Sequence, residues 1–237
     1  MNRAIMLATF KERINNPGRM ILLGLFALIG VIEAVQARNG GDAPGHILVV
    51  YLALVLGSGL IGTDVSSGVL HLLFLRPVTR AEYVWSKWLA VSVGCAAVAI
   101  TRLVFYVVIL SLSHAAIDWD AVMQNGLDCL LIPFGVSAVL ACFSALGEGY
   151  ADLRIYLLMF LLGVVLQSLG GLRGEPGWEA VARQIYEVLV PRVELSSAPG
   201  TTIVLLQTVV SYLSTVTAAM ALAVVAVNRR ELTYAAG

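Results

Sequence analysis

Six long apolar stretches, near Met20–Gln36, His46–Gly62, Trp88–Ser113, Leu127–Gly147, Ile155–Leu172 and Ile203–Val227, constrain this chain more than anything else in it. Bilayer hydrocarbon is about 30 Å thick and a helix rises about 1.5 Å per residue, so on the order of 20 mostly apolar residues cross it. The six segments fit that length, the first two being the shortest. Composition agrees: 59% of residues are hydrophobic and 13% charged, against roughly 25% charged in soluble domains. A water-soluble globular chain is excluded. The longest connection, Arg173–Thr202, cannot house a separate soluble domain. The expected fold is therefore all-α, an integral membrane protein forming one transmembrane domain over residues 1–237.

Formal charge sums to zero, so its distribution carries the information. An even number of spans puts both termini on one side. Arg3, Lys11, Arg13, Arg19, Arg76, Arg80, Lys87, Arg154, Arg229 and Arg230 fall on that side, against Arg38, Arg173, Arg183 and Arg192 on the other and Arg102 within a span. The positive-inside rule then sets both termini in the cytoplasm, in the cell (inner) membrane. No cleavable signal peptide is expected, because an amphipathic stretch separates the initial basic residues from the first apolar core and no small-residue cleavage site follows it. Cys95, Cys129 and Cys142 lie in or at the edge of spans without metal-type spacing and are read as packing residues.

Before the first span, Ile5, Met6, Leu7, Phe10 and Ile14 recur at helical spacing, with Asn2, Arg3, Lys11, Glu12, Arg13 and Asn16 on the other face. That pattern predicts a helix lying in the headgroup plane, broken by Asn16-Pro17-Gly18. Ala37–Gly45 and Ala115–Gly126 read as simple outer connectors. The last outer connection differs. Trp178, Val181, Ala182, Ile185, Val188 and Leu189 repeat at helical spacing, Arg183, Gln184 and Glu187 face away, and Pro191 ends the run. It is too short and too charged to span, so an interfacial or re-entrant helix is expected at the outer mouth. Glu148–Arg154 predicts a tight inner hairpin.

Between the second and third spans lies the most distinctive local sequence. Thr63-Asp64-Val65-Ser66-Ser67-Gly68 is followed by Leu73-Phe74-Leu75-Arg76-Pro77-Val78-Thr79-Arg80 and then by Trp85-Ser86-Lys87. An acidic residue four before a Gly, a short apolar run, Arg-Pro-x-Thr-Arg and a Lys seven residues on resemble the signature of ABC-2 type transporter permeases, the membrane halves of ATP-driven exporters. The N-terminal amphipathic helix is similar to that family's elbow helix, Trp178–Leu189 to the short external helices before the last span, and Asn228-Arg229-Arg230-Glu231-Leu232 to a basic-acidic-Leu ending. The family more often has Glu where Asp64 stands, and His71 matches no expected residue.

The resemblance implies that Thr63–Lys87 is a coupling helix docking on a separate ATPase, with Asp64, Gly68, Leu70, Phe74, Arg76, Pro77, Arg80 and Lys87 as candidate docking residues. Locally, Thr63 is expected to cap a short helix with Asp64 in its first turn, where a carboxylate suits the helix dipole. Leu70, Phe74, Leu75 and Val78 supply an apolar face, and Arg76-Pro77 ends the helix before Arg80, Glu82 and Lys87 begin the next. A plain amphipathic connector is the alternative. No Gly-x-x-x-x-Gly-Lys-Ser/Thr occurs and no Gly-Lys pair exists, so the chain lacks that cradle for nucleotide phosphates. No cofactor is expected in this chain. ATP and Mg would be bound by the partner, two copies of an ABC ATP-binding subunit, and a second permease copy would complete the pathway as a homodimer, in membrane lipid and without nucleic acid. Alternating access is the implied mechanism. A membrane anchor passing ATPase work to an envelope partner without moving solute would carry the same features.

Charges inside spans cost about 2.5–3.5 kcal/mol on insertion scales and mark partners or pathways. Glu33 in the first span and Arg102 in the third lie at equal depth, roughly 20 Å from the inner boundary at about 1.5 Å per residue. They are expected to form an ion pair or to line a central cavity. Gln167 in the fifth span and Asp128 in the fourth are weaker pathway candidates. Gly57-Ser58-Gly59 resembles the serine motif of rhomboid proteases, but His46, His71 and His114 do not share Ser58's depth, so the small residues are read as allowing close helix approach and the chain as no enzyme.

Overall fold

A computed structural model describes residues 3–38, 45–70, 78–173, 176–193 and 201–229. Every regular element among them is a helix. In chain order they are α1 (Arg3–Ile14), α2 (Pro17–Arg38), α3 (Ile47–Gly57), α4 (Gly62–Ser66), α5 (Arg80–Leu112), α6 (Trp119–Leu146), α7 (Ala151–Arg173), α8 (Pro176–Leu189) and α9 (Thr201–Arg229). Among the described residues six stretches are long and apolar enough to cross a bilayer: α2, α3 with α4, α5, α6, most of α7 and Leu205–Arg229 of α9. The chain is a multi-pass membrane protein.

Helix boundaries follow local chemistry. Thr79 caps α5 by accepting from the Glu82 amide at 3.2 Å, in the Thr-x-x-Glu spacing of a capping box. That start lies eight residues before the apolar run at Trp88. Asp118 caps α6, accepting from the amides of Asp120 and Ala121 at 3.1 and 3.2 Å, so α6 also begins ahead of its apolar segment. Pro17 opens α2, where a missing amide costs nothing.

The bundle is organised around α6, which packs against α3, α5, α7 and α9. α3 and α6 are largely buried, whereas α2 and α7 leave most of their surface open. One core joins residues from α2 through α9, with Leu60, Ile61, Tyr83, Ile132, Leu140, Tyr156 and Met220 among its most enclosed side chains. Gly57 fits against Leu140, whose Cδ1 would lie 2.7 Å from an added Cβ, so the small residues of Gly57-Ser58-Gly59 do permit close approach.

One element differs from expectation. α1 forms, but Arg13 and Thr9 are buried while Leu7 and Phe10 are exposed. Arg13 is therefore not on a solvent face; it turns inward because carbonyls at the end of α3 lack donors. α8 forms over the predicted residues, packed as the re-entrant of the two placements expected. Tyr186 packs on Phe160 and Gly163, and Tyr156 reaches the Leu189 carbonyl, so α8 runs antiparallel along α7. Its last turn lies beside Tyr156, only about 8 Å into α7 at 1.5 Å per residue. The predicted docking residues Phe74, Arg76 and Pro77, with His71, Leu73 and Leu75, lie outside the described residues.

Candidate functional site

Between α3 and α4 the second span breaks at Ser58–Ile61. A helix break strands the last carbonyls of one helix and the first amides of the next, and burial makes each unmet group costly. Gly59 turns the chain at φ +66°, a conformation only glycine takes cheaply. The stranded groups are met from five other elements.

Arg13 of α1 donates to the carbonyls of Leu56 at 3.1 Å and Gly59 at 2.8 Å and also to that of Ser58. Arg19 of α2 adds a second donor to Ser58 at 3.2 Å. Cations at a helix C-terminus are favoured by its dipole. Burial, and next the charge of Arg19, pushes the Arg13 guanidinium down to about 10, so it remains protonated at neutral pH and serves as a charged cap. On the amide side, Asp152 of α7 accepts from Gly59 at 2.6 Å, and the Ser144 hydroxyl of α6 accepts from Ile61 and Gly62 at 2.9 and 2.8 Å. Gly149, in the α6–α7 hairpin, donates to the Gly62 carbonyl at 2.8 Å. A Cβ on Gly62 would collide with the Gly149 carbonyl oxygen.

The charged pair completes this knot. Asp64 accepts from the Lys87 ammonium and the Tyr83 hydroxyl, each at 2.6 Å, and Lys87 also donates to the Leu60 carbonyl at 2.9 Å. Asp64 and Lys87 are 8% and 4% exposed, and together they hold the α4 segment against α5. Thr63 does not cap α4. The capping residue is Ile61, and the Thr63 hydroxyl donates to the Gly59 carbonyl at 2.6 Å, because that acceptor is already within reach. Leu70 is buried, Gly68 is exposed at φ +72°, and Arg80 donates to the carbonyls of Val227 and Asn228 at 3.0 and 2.7 Å, capping α9. The segment is thereby tied to the last span as well. Ser58 sits inside the knot, its hydroxyl donating to the Val55 carbonyl at 3.3 Å.

Arg102 and Glu33 do meet, with Nε 3.0 Å from the carboxylate and Nη2 also in contact. Gly30 makes room, since an added Cβ would sit 3.0 Å from Arg102 Cγ, and the guanidinium lies 5.6 Å from the Phe26 ring centre. Asp128 pairs with Arg192 at 3.2 Å and accepts from Gln124 at 3.0 Å. With Pro191 against Gly135, that pins the end of the α8 connection onto α6. Gln167 lines a cavity of about 1000 Å³ among α3, α7, α8 and α9, together with Glu179, Arg183 and Glu187. The charged stripe of α8 thus faces a cavity. The three cysteines are buried and free, and among the described residues no cluster of three or more His, Cys, Asp and Glu could hold a metal.

Arg13, Arg19, Tyr83, Ser144 and Asp152 escaped sequence reasoning. The one available signal was Gly57-Ser58-Gly59-Leu60-Ile61-Gly62, whose glycines announce a break that must find donors and acceptors elsewhere. Over residues 12–223 the chain matches the model of a family described as ABC-2 family transporter protein. No curated protein matches it.

Proposed function

The chain belongs to the ABC-2 transporter family and is a membrane permease component of an ABC transporter; from that premise we propose that it is the permease of an exporter, paired with a second copy and docked on two separate ATPase subunits. Both termini and the knot end of the bundle face the cytoplasm in this reading. The segment from α4 to Thr79 receives the stroke of ATP-driven closure, with Gly68 and the expected docking residues Phe74, Arg76 and Pro77 as its contacts.

One observation carries the reading: the base of that segment is bonded to α1, α2, α5, α6 and α7 at once. A push delivered there cannot move α4 alone. Interiors are close-packed and shift between discrete arrangements rather than flexing continuously, so the helices move together and a pathway between two copies opens or closes. The role of Asp64, Lys87 and Arg80 is transmission rather than contact.

Site-directed cross-linking tests it. A cysteine at exposed Ser67, in a background lacking the native cysteines, should capture a co-purifying nucleotide-hydrolysing subunit, while one at exposed Leu112, at the far end, should not. Capture from Leu112 alone, or no ATPase with either, sinks the proposal. Reconstituted with its ATPase, the complex should move solute into vesicles on ATP addition; hydrolysis without transport would favour an anchor.

A further inference from the structure

The α8 cavity carries charge at a depth where charge is expensive. Glu179, Arg183 and Glu187 recur every four residues along one stripe of α8, and all three line the cavity. α8 runs antiparallel along α7, a helix long and apolar enough to cross a bilayer, and ionised side chains at such depth are costly and are kept chiefly along substrate or ion paths. Among the described residues the three form no ion pair with one another.

We propose that this cavity binds an amphiphilic organic cation. The proposal rests on the permease reading and names the class of its cargo. Charge balance selects the sign. Arg192 is matched by Asp128, which leaves, among the described acidic and arginine side chains lining the cavity, two carboxylates against the guanidinium of Arg183. Among these described side chains one negative charge is in excess, facing a half-enclosed space. A ligand with one positive charge cancels it, and an anion doubles the imbalance.

The remaining walls fit the rest of such a molecule. Tyr51, Tyr156, Phe160, Tyr186 and Tyr212 supply rings, and ring faces attract cations more strongly when desolvated. The hydroxyls of Tyr156 and Tyr212 are already committed to the carbonyls of Leu189 and Leu131, so what these two offer a ligand is the ring. Ile47, Val50, Leu54 and Leu157 provide aliphatic surface. At about 1000 Å³ the cavity lies at the large end of small-molecule sites, enough for a bulky lipophilic ion.

Two probes of the same shape and opposite charge give the test: tetraphenylphosphonium and tetraphenylborate. Each is titrated onto the purified full chain in phosphatidylcholine nanodiscs at pH 8, with binding to empty nanodiscs subtracted. Saturable binding is expected for the phosphonium and not for the borate. Glu179→Gln with Glu187→Gln should weaken phosphonium binding at least tenfold, Tyr186→Leu several-fold, and Arg183→Gln should tighten it. Thermal melts establish that each variant is folded. Equal saturable binding of both ions, or an unchanged affinity in the double glutamate variant, overturns the proposal. The assay contains no ATPase, so its failure is separate from failure of the docking experiment: a chain that captures the ATPase but shows no preference for the cation keeps the permease reading and loses this one.

Discussion

The knot at the break in the second span and the cavity beside α8 use the same residue types to opposite ends. In the knot, Arg13, Arg19, Lys87, Asp64 and Asp152 are consumed by backbone groups and by one another. Around the cavity, Glu179, Arg183 and Glu187 have no ion-pair partner among the described residues and remain exposed to the space they line. Buried charge that is paired and hydrogen-bonded fixes geometry; charge facing an open cavity awaits a ligand. Substitutions in the first region should therefore cost stability, and those in the second should cost binding.

The sharpest break in that comparison comes from Asp64. Asp64→Ala strands a buried ammonium and the Tyr83 hydroxyl, and removal of one partner from a buried pair costs on the order of 3–5 kcal/mol. The expected result is a large fall in melting temperature or loss of a monodisperse peak on size exclusion, partly recovered by adding Lys87→Met. A melting temperature like the parent's would show that the knot is not structural.

Arg13→Ala comes next. It removes a charged donor from three carbonyls, and hydrogen bonds to charged groups contribute about 1.5–3 kcal/mol each, though α1 can relax and water can enter. A drop of several degrees is expected, together with ATP hydrolysis that no longer drives transport in the reconstituted complex. Full coupling in a stable Arg13→Ala protein would remove α1 from the transmission path.

A double-mutant cycle on Glu33→Gln and Arg102→Gln should return a coupling of about 0.5–3 kcal/mol, as contacting residues do, with the double variant more stable than the sum of the singles predicts. Additive losses would mean that the pair contributes nothing as a pair. The smallest effect belongs to the cavity. Glu179→Gln and Glu187→Gln should each lower stability by no more than roughly 0.5 kcal/mol, as for residues outside packed networks, and any larger change should be a gain, since each removes a costly charge. A loss as large as that of Arg13→Ala would erase the distinction between the two regions.

Much of the architecture was legible because its signals are local. Apolar length identified six crossings, Pro and Gly identified turns, and 3.6-residue periodicity found α8. Equal distance along two spans also brought Glu33 and Arg102 together correctly, since helix rise converts residue count into depth. Periodicity misled at α1, where a polar residue on the polar face, Arg13, is drawn into the protein by acceptors that no pattern within α1 reveals. Asp64 and Lys87 fitted the family resemblance as docking residues, yet their carboxylate and ammonium face each other inside the bundle.

The sequence by itself determined that this chain crosses a membrane six times as helices and carries a distinctive segment between the second and third crossings, because hydrocarbon solvent leaves few alternatives for such apolar runs. Only the tertiary structure decided which charges are spent on a broken helix and which face an open cavity. That division depends on where carbonyls and amides from distant parts of the chain end up, as when Arg13, Ser144 and Asp152 meet at Gly59–Gly62. It also depends on α8 folding back along α7, which carries a charged stripe that would otherwise face water down into the span.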